Sequence, residues 1–269
     1  MMHRGASSVV SPLLELGSVW GRCYIPVTAS NAFPSKMGQT AALLLLLCLL
    51  PGKPARAQTS QFLPEVDVYY KIQQNIRLDF QAKQTREAGD PTQAEIGPSL
   101  DLFVKPLVRL KNIPIFDPDK TKSRLLQLFV GYRSVPSPDK ATIDRMEVGF
   151  ISNVPLVANI LLSDRNRADL DWSKKPFVWR YRNRLKLQRT VAIGSYNPAP
   201  YASAEVFFQS QYSKWSTTVL YAGCLFPVGK HFAFDSYYAH QNITGKHPNQ
   251  QLNQLGLILN MYFGRLEEQ

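Results

Sequence analysis

Cysteine and long apolar runs are the scarcest features of this 269-residue chain. It has three cysteines and no Cys-x-x-Cys pair, which excludes a disulfide scaffold and a cysteine-based structural zinc site. Its longest apolar run, residues 41–50, has ten residues, about half of the roughly 20 that a membrane-spanning helix needs. No long segment repeats its apolar residues with the period of 3.6 that is typical of an amphipathic helix. A helical membrane protein is therefore excluded as well.

The composition is that of a folded chain with an excess of basic residues. Hydrophobic residues make up 45% and charged residues 19% of the sequence, which excludes wholesale disorder. There are 31 basic and 20 acidic residues, a net charge of +11. Such a charge suggests a nucleic-acid partner, but many basic residues alternate with aromatic residues that belong on the opposite face of a strand. We therefore expect no nucleic-acid partner.

The ten-residue apolar run has the length of the hydrophobic region of a signal peptide. A Pro-Gly pair ends it, and Ala55 and Ala57 supply the small residues of a cleavage site before Gln58. We predict a leader over residues 1–57, in which residues 1–36 are interpreted as an over-extended start, and an exported domain over residues 58–269. The exported domain keeps 26 basic and 19 acidic residues and one cysteine, so it can form no internal disulfide.

Alternation of apolar and polar residues with a period of two dominates the exported domain and predicts β-strands. Turns rich in glycine and proline separate the alternating segments. The predicted strands cover residues 65–71, 75–84, 94–104, 124–133, 144–152, 157–170, 177–187, 201–209, 214–224, 231–241 and 254–263. So many strands in one run favour a closed structure, because open sheet edges invite aggregation. The pattern predicts an all-β chain that forms a single antiparallel up-and-down barrel.

The two faces of these strands favour a transmembrane barrel. Its strands turn apolar side chains towards lipid and polar side chains towards the interior, as in residues 177–187, 201–209 and 254–263. A soluble sandwich has the same alternation with its apolar face inward, but the leader, the lack of disulfides and the aromatic end of the last strand favour the membrane. Because bacterial single-chain barrels have even strand numbers, we expect about 12 strands, with 10 as the alternative. The twelfth would lie in residues 105–123 or at the N-terminus.

Two blocks of sequence carry a resemblance to known proteins. The last strand, with Gly256, Tyr262 and Phe263, resembles the C-terminal assembly signal of Gram-negative outer-membrane barrels. Together with residues 161–208, it is similar to a family of uncharacterised outer-membrane β-barrels that is known only as a domain of unknown function. The resemblance spans about residues 60–263. It implies a Gram-negative outer-membrane location and contact with outer-membrane lipid and the barrel assembly machinery, but no activity.

Basic residues two positions apart form the most informative polar pattern. They are Arg180, Arg182, Arg184 and Lys186, extended by Arg165 and Arg167. Each would cost about 2–4 kcal/mol if it faced lipid at the bilayer midplane, so we expect them to face the barrel interior. Asp164, Glu205 and Asp235 are the expected acidic partners. Two interpretations stay open: Arg–carboxylate pairs that hold a narrow barrel shut, or an anion-attracting constriction in a pore.

Catalytic and cofactor motifs are not apparent in the sequence. His240 and Ser236 lie four positions apart, about 13 Å along a strand, too far for a nucleophile and its base. No metal cluster or phosphate-binding loop occurs, so we expect no metal, no cofactor and no enzyme activity. The expected function is a structural or pore-type barrel with a basic, salt-bridged interior. An outer-membrane lipid-modifying enzyme and a soluble periplasmic barrel that binds an apolar ligand are the alternatives.

Overall fold

A closed β-barrel is the architecture of the chain in its computed structural model, which describes residues 58–104, 117, 124–138, 140–156, 159–172, 177–245 and 249–264. The strands are β1 (Gln58–Gln73), β2 (Ile76–Glu87), β3 (Asp90–Phe103), β4 (Leu126–Ser137), β5 (Lys140–Pro155), β6 (Ile160–Trp172), β7 (Val178–Arg189), β8 (Ala199–Gln209), β9 (Lys214–Val228), β10 (Phe232–Ile243) and β11 (Gln250–Gly264). The predicted leader, with Ala55 and Ala57, lies outside the described residues. No helix in the described part of the chain is long and apolar enough to span a membrane.

The strands form an up-and-down meander that closes through one parallel pair. Strands adjacent in sequence pair antiparallel, and β1 pairs with β11 in parallel, with Phe62 opposite Leu255 and Tyr69 opposite Tyr262. The all-β barrel prediction is confirmed, and each of the eleven predicted segments overlaps a strand. The described residues contain eleven strands rather than 12 or 10, and β3 pairs directly with β4. Because the direction alternates along a meander, the first and last of eleven strands run the same way, so the closing pair is parallel.

The outer surface of the barrel is apolar. Each strand turns alternate side chains outward, and on every strand except β8 at least one large apolar side chain is exposed. Examples, one for each of these strands in order, are Val66, Phe80, Leu102, Val130, Val148, Trp172, Leu187, Leu220, Phe234 and Leu257. Strand β8 presents the smaller Ala202 and Ala204. The alternation seen in the sequence therefore gives a belt of apolar side chains around the whole barrel.

The two ends of the barrel differ in how their interiors are filled. At one end, which we call the mouth, the strands β2, β4, β6, β8 and β10 end. At the other, which we call the packed end, apolar side chains are buried in the interior, among them Phe103, Leu161, Ala199, Leu225 and Ala233. Arg77 also pairs with Asp101 there, at 2.6 Å. Any interior space accessible from outside is therefore expected at the mouth.

Gly149 on β5 is needed for close packing between strands. A Cβ atom at this position would lie 2.7 Å from the ring of Phe129 and 3.0 Å from the Cα atom of Arg167, and it would also contact the carbonyl oxygen of Asn166. Because two of these three neighbours are backbone atoms of β6, we predict that Gly149→Ala lowers the free energy of unfolding by about 1–3 kcal/mol. Urea titration, which follows the folded fraction, measures this free energy. Ser152→Ala, on the outer face of the same strand, is the control and should change stability by less than about 0.5 kcal/mol; equal effects would contradict the prediction.

Candidate functional site

The basic residues of β6 and β7 face one another across the pair of strands inside the barrel. Arg165 lies opposite Arg184, and Arg167 lies opposite Arg182. One step nearer the mouth, the next inward position of β6 carries a carboxylate, Asp169, opposite Arg180. This register follows from the antiparallel pairing, which places the inward positions of both strands side by side. Guanidinium groups therefore crowd one wall of the interior and need carboxylates to balance them.

Asp169 is the centre of this charge cluster. Its side chain is completely buried, with 0% exposure. Its carboxylate lies 2.7 Å from Nε of Arg167, 3.3 Å from Arg180 and 3.6 Å from Arg182. A buried carboxylate is stable as an anion only where it is paired and hydrogen-bonded. Three arginines supply that compensation here, so Asp169 joins the inward charges of β6 and β7 into one group.

Glu205 on β8 continues the cluster on the other side of β7. Its two carboxylate oxygens accept from Arg182 at 2.8 Å and from Arg184 at 2.7 Å, and the hydroxyl of Tyr221 also donates to it at 2.8 Å. The guanidinium of Arg182 lies 4.3 Å above the ring of Phe207, and that of Arg184 lies 4.5 Å above the ring of Tyr221. Ion pairs and aromatic rings together fix these two arginines.

The cluster also extends towards β2 through β5 and β4. Arg167 lies 3.1 Å from Glu147 on β5, which lies 4.0 Å from Arg133 on β4. Arg133 in turn lies 3.8 Å from Asp79 on β2. Ion pairs thus connect β8 to β2 across the interior without a break.

A second branch leads to β3, nearer the mouth. Arg180 lies 3.4 Å from Asp171, which pairs with Arg145 at 2.7 Å. Arg145 reaches Glu95 on β3 at 3.1 Å. We call the connected set of ion pairs from Glu205 to Asp79 and Glu95 the interior network. It ties together seven neighbouring strands, β2 to β8.

The interior network forms part of the wall of a cavity of about 810 Å³. The cavity reaches the mouth, where Thr92, Lys140 and Gln211 line it and are exposed. Basic side chains of β6 and β7 form one wall, which we call the charged wall. Leu63 of β1 and Tyr237 of β10 line the cavity elsewhere. This volume suffices for a small molecule.

The structure places most of the predicted interior residues inside the barrel. Those that line the cavity are Arg165, Arg167, Arg180, Arg182, Arg184, Lys186 and Asp235, while Glu205 is buried behind the arginines that it binds. The hydroxyl of Tyr201 donates to Asp235 at 2.8 Å, and Nζ of Lys186 lies 3.8 Å above the ring of Tyr201. Asp235 therefore lies on the Tyr201 side of the cavity.

Asp164 does not face the interior, so its assignment as an interior partner is wrong. It precedes Arg165 on β6, and successive residues of a strand point to opposite faces. Its carboxylate accepts from the amide of Asn183 at 2.7 Å and from that of Asn166 at 3.1 Å, and the Tyr181 hydroxyl donates to Asn166. These four side chains form a polar cluster in the apolar outer belt, between β6 and β7.

Sequence reasoning missed the part of the network on β4 and β5. Arg133, Arg145 and Glu147 are buried charges that carry it from β6 towards β2 and β3. The signal was present, since Arg145 and Glu147 occupy alternate positions of a predicted strand. Neither strand has a run of basic residues such as the one on β7, so the pattern did not stand out.

The residues of the expected C-terminal assembly signal lie on both faces of β11. Gly256 faces inward and leaves room for the ring of Tyr237, which a Cβ atom would contact. Tyr262 stacks on Tyr69 of β1 with ring centroids 5.0 Å apart, and Phe263 is exposed on the outer surface. Gly256 and Tyr262 therefore contribute directly to packing where the barrel closes.

His240 lies on the outer face of β10, and its Nδ1 is 2.9 Å from the side-chain oxygen of Asn253. Ser236 is on the same face of β10, four residues from His240. Among the described residues, no group of three or more His, Cys, Asp or Glu side chains could hold a metal ion. Cys224 is a free thiol. Within the part of the chain that the structure describes, the interior network with its cavity is the candidate functional site.

Comparison with known proteins gives a family match within the barrel. No curated protein matches the chain. Residues 122–252, just under half of the chain, match the model of the family described as "Protein of unknown function (DUF2490)". This segment spans β4 to β10, so it contains Asp169, Glu205 and the basic residues of β6 and β7. This part of the barrel is thus similar to a family without an assigned function, which agrees with the expected resemblance to a domain of unknown function.

Proposed function

We propose that the chain is an integral outer-membrane β-barrel of a Gram-negative bacterium, exported by a cleaved leader and non-enzymatic. The observation that carries the proposal is the inversion of polarity, with apolar side chains around the outside and paired charges within. In water, exposed apolar side chains on almost every strand would be an aggregation hazard, since soluble monomers rarely expose apolar patches beyond a few hundred Å². In lipid the same surface is solvated, and closure pairs every strand edge.

The role we propose for the interior network is to hold a narrow barrel shut. Its ion pairs connect β2 to β8, and the packed end is filled with buried side chains. Both features favour a structural barrel over an open pore. The charged cavity wall also argues against a soluble barrel that binds an apolar ligand, because burying charges against such a ligand is costly.

Fractionation tests the location. We expect the full chain, expressed in a Gram-negative host, to stay in the outer-membrane fraction after alkaline carbonate extraction. Its electrophoretic mobility should change on heating, because closed barrels resist detergent unfolding until heated. Recovery of the folded protein in the periplasmic extract would refute the membrane proposal.

Planar-bilayer recording tests whether the barrel is shut. We predict no steady ion conductance for the wild-type barrel, because side chains fill the packed end and the network crosses the interior. Stepwise conductance with a preference for anions would support the pore alternative instead. In that case the double variant Arg182→Ala, Arg184→Ala should lower the preference for anions, since both guanidinium groups line the cavity.

A further inference from the structure

Arg165 differs from the other arginines of the charged wall in how its charge is balanced. Arg167, Arg180, Arg182 and Arg184 each have a carboxylate within ion-pair distance. In the described part of the chain, no carboxylate comes within that distance of Arg165. Its Nε atom is buried and has no hydrogen-bond partner there. An uncompensated buried cation is unfavourable, so this position invites an external partner.

An aromatic ring rather than an acid holds the guanidinium of Arg165 in place. Its Cζ atom lies 5.3 Å from the centre of the Phe129 ring. Gly149 leaves the space that this ring occupies. A cation over an aromatic face is attracted to it, but the ring carries no net charge. The guanidinium is therefore positioned by a ring, with no carboxylate of the described residues in direct contact with it.

The neighbours of Arg165 increase the local positive charge. Arg184 lies directly opposite Arg165 on β7, and Lys186 is the next inward-facing residue after Arg184 on the same strand. Like charges placed opposite each other on paired strands are destabilising. The nearby carboxylate of Glu205 already binds both Arg182 and Arg184. At the inner end of the cavity, farthest from the mouth, Arg165, Arg184 and Lys186 therefore lie close together, and the carboxylate of Asp235 lies on the Tyr201 side of this end.

We propose that this inner end binds the oxyanion group, a carboxylate or a phosphate, of a small molecule that enters from the mouth. Arg165 is the principal ligand, because a guanidinium offers a planar fork of donors that matches either group. Arg184 and Lys186 supply additional positive charge. The cavity volume of about 810 Å³ falls in the range typical of small-molecule sites. The proposal goes beyond the location of the barrel and does not depend on it.

Titration calorimetry on the full-length barrel in detergent micelles tests the site. Inorganic phosphate and benzoate serve as the two probes, at constant ionic strength, and a preference between them identifies the oxyanion. We expect saturable binding of at least one probe, weakened at least about tenfold by Arg165→Gln, as expected for the loss of a charge-assisted hydrogen bond. Lys230→Gln is the matched control, since it removes the same charge from an exposed position outside the cavity lining; it should change the affinity less than about twofold.

Stability measurements separate loss of binding from loss of folding. Without added anion, Arg165→Gln should be at least as stable as the wild type, because it removes an uncompensated charge. Phosphate or benzoate should raise the unfolding midpoint of the wild type but not that of Arg165→Gln. Arg165→Lys should bind the probes with an affinity between those of the wild type and Arg165→Gln. The proposed site would be refuted if neither probe showed saturable binding. It would also be refuted if the wild type, Arg165→Gln and Arg165→Lys bound the probes with equal affinity. Neither result would alter the outcome of membrane fractionation.

Discussion

Asp169→Asn is expected to destabilise the barrel more than any other substitution considered for the interior, by about 3–5 kcal/mol. The exchange preserves the shape of the side chain but removes its charge. Three arginines, Arg167, Arg180 and Arg182, then surround a neutral amide in a site with no exposure. Arg180 keeps Asp171 and Arg182 keeps Glu205, so the loss is large without being the sum of three pairs. The free energy of unfolding from urea titration measures it.

Asp164→Asn provides a matched control on the same strand. Asp164 lies on the outer face. Within its cluster, the hydrogen bonds that its carboxylate accepts come from the amide groups of Asn166 and Asn183. No buried cation loses a partner when its charge is removed, so the change should stay below about 1 kcal/mol. Equal losses for Asp164→Asn and Asp169→Asn would mean that the interior network contributes nothing specific to stability.

Val148→Arg is expected to have the second-largest effect, provided that the barrel lies in lipid. Val148 is at the middle of β5 and 42% of its side chain is exposed on the outer surface. An arginine facing lipid at the bilayer midplane costs about 2–4 kcal/mol. The same substitution on a water-exposed surface changes stability by less than about 0.5 kcal/mol. Urea unfolding in lipid vesicles therefore distinguishes the two environments with one variant.

Val228→Arg tests whether the cost depends on depth. Val228 is equally exposed, at 46%, but it is the last residue of β9 at the packed end. Near the membrane surface an arginine costs about 0–1 kcal/mol, so this variant should be close to the wild type. If Val148→Arg and Val228→Arg were both neutral, the apolar belt would not be facing lipid.

Local alternation made the strands predictable, whereas the strand number and the parallel pair that closes the barrel were not. The pattern on residues 177–187 and 254–263 identified both strands and their faces, because the face of a residue depends only on its position within the strand. The number of strands was expected to be even by analogy with bacterial barrels. Pairing between β1 and β11 joins residues that are far apart in sequence, such as Phe62 and Leu255, and no local pattern encodes it.

The charged wall was predictable, but its partners were not. Arg180, Arg182, Arg184 and Lys186 stand out because four basic residues alternate within one strand. Asp164 was assigned to the interior from its closeness in sequence, although it is adjacent to Arg165 and so must point the other way. Asp169 and Glu147 bind arginines on neighbouring strands, and such partners depend on register. A stricter use of the two-residue repeat would have rejected Asp164.

The parallel pair that closes the barrel also fixes where the described chain enters and leaves it. β1 starts at the mouth, whereas β11 ends at the packed end, because the two strands run in the same direction. In an even-stranded meander the first and last strands could be joined by a hairpin turn, which would allow circular permutation. Here a covalent circle needs a crossing segment as long as a strand, and β11 alone has 15 residues. That segment would have to pass over the apolar belt or thread the filled interior, so this topology resists circularisation.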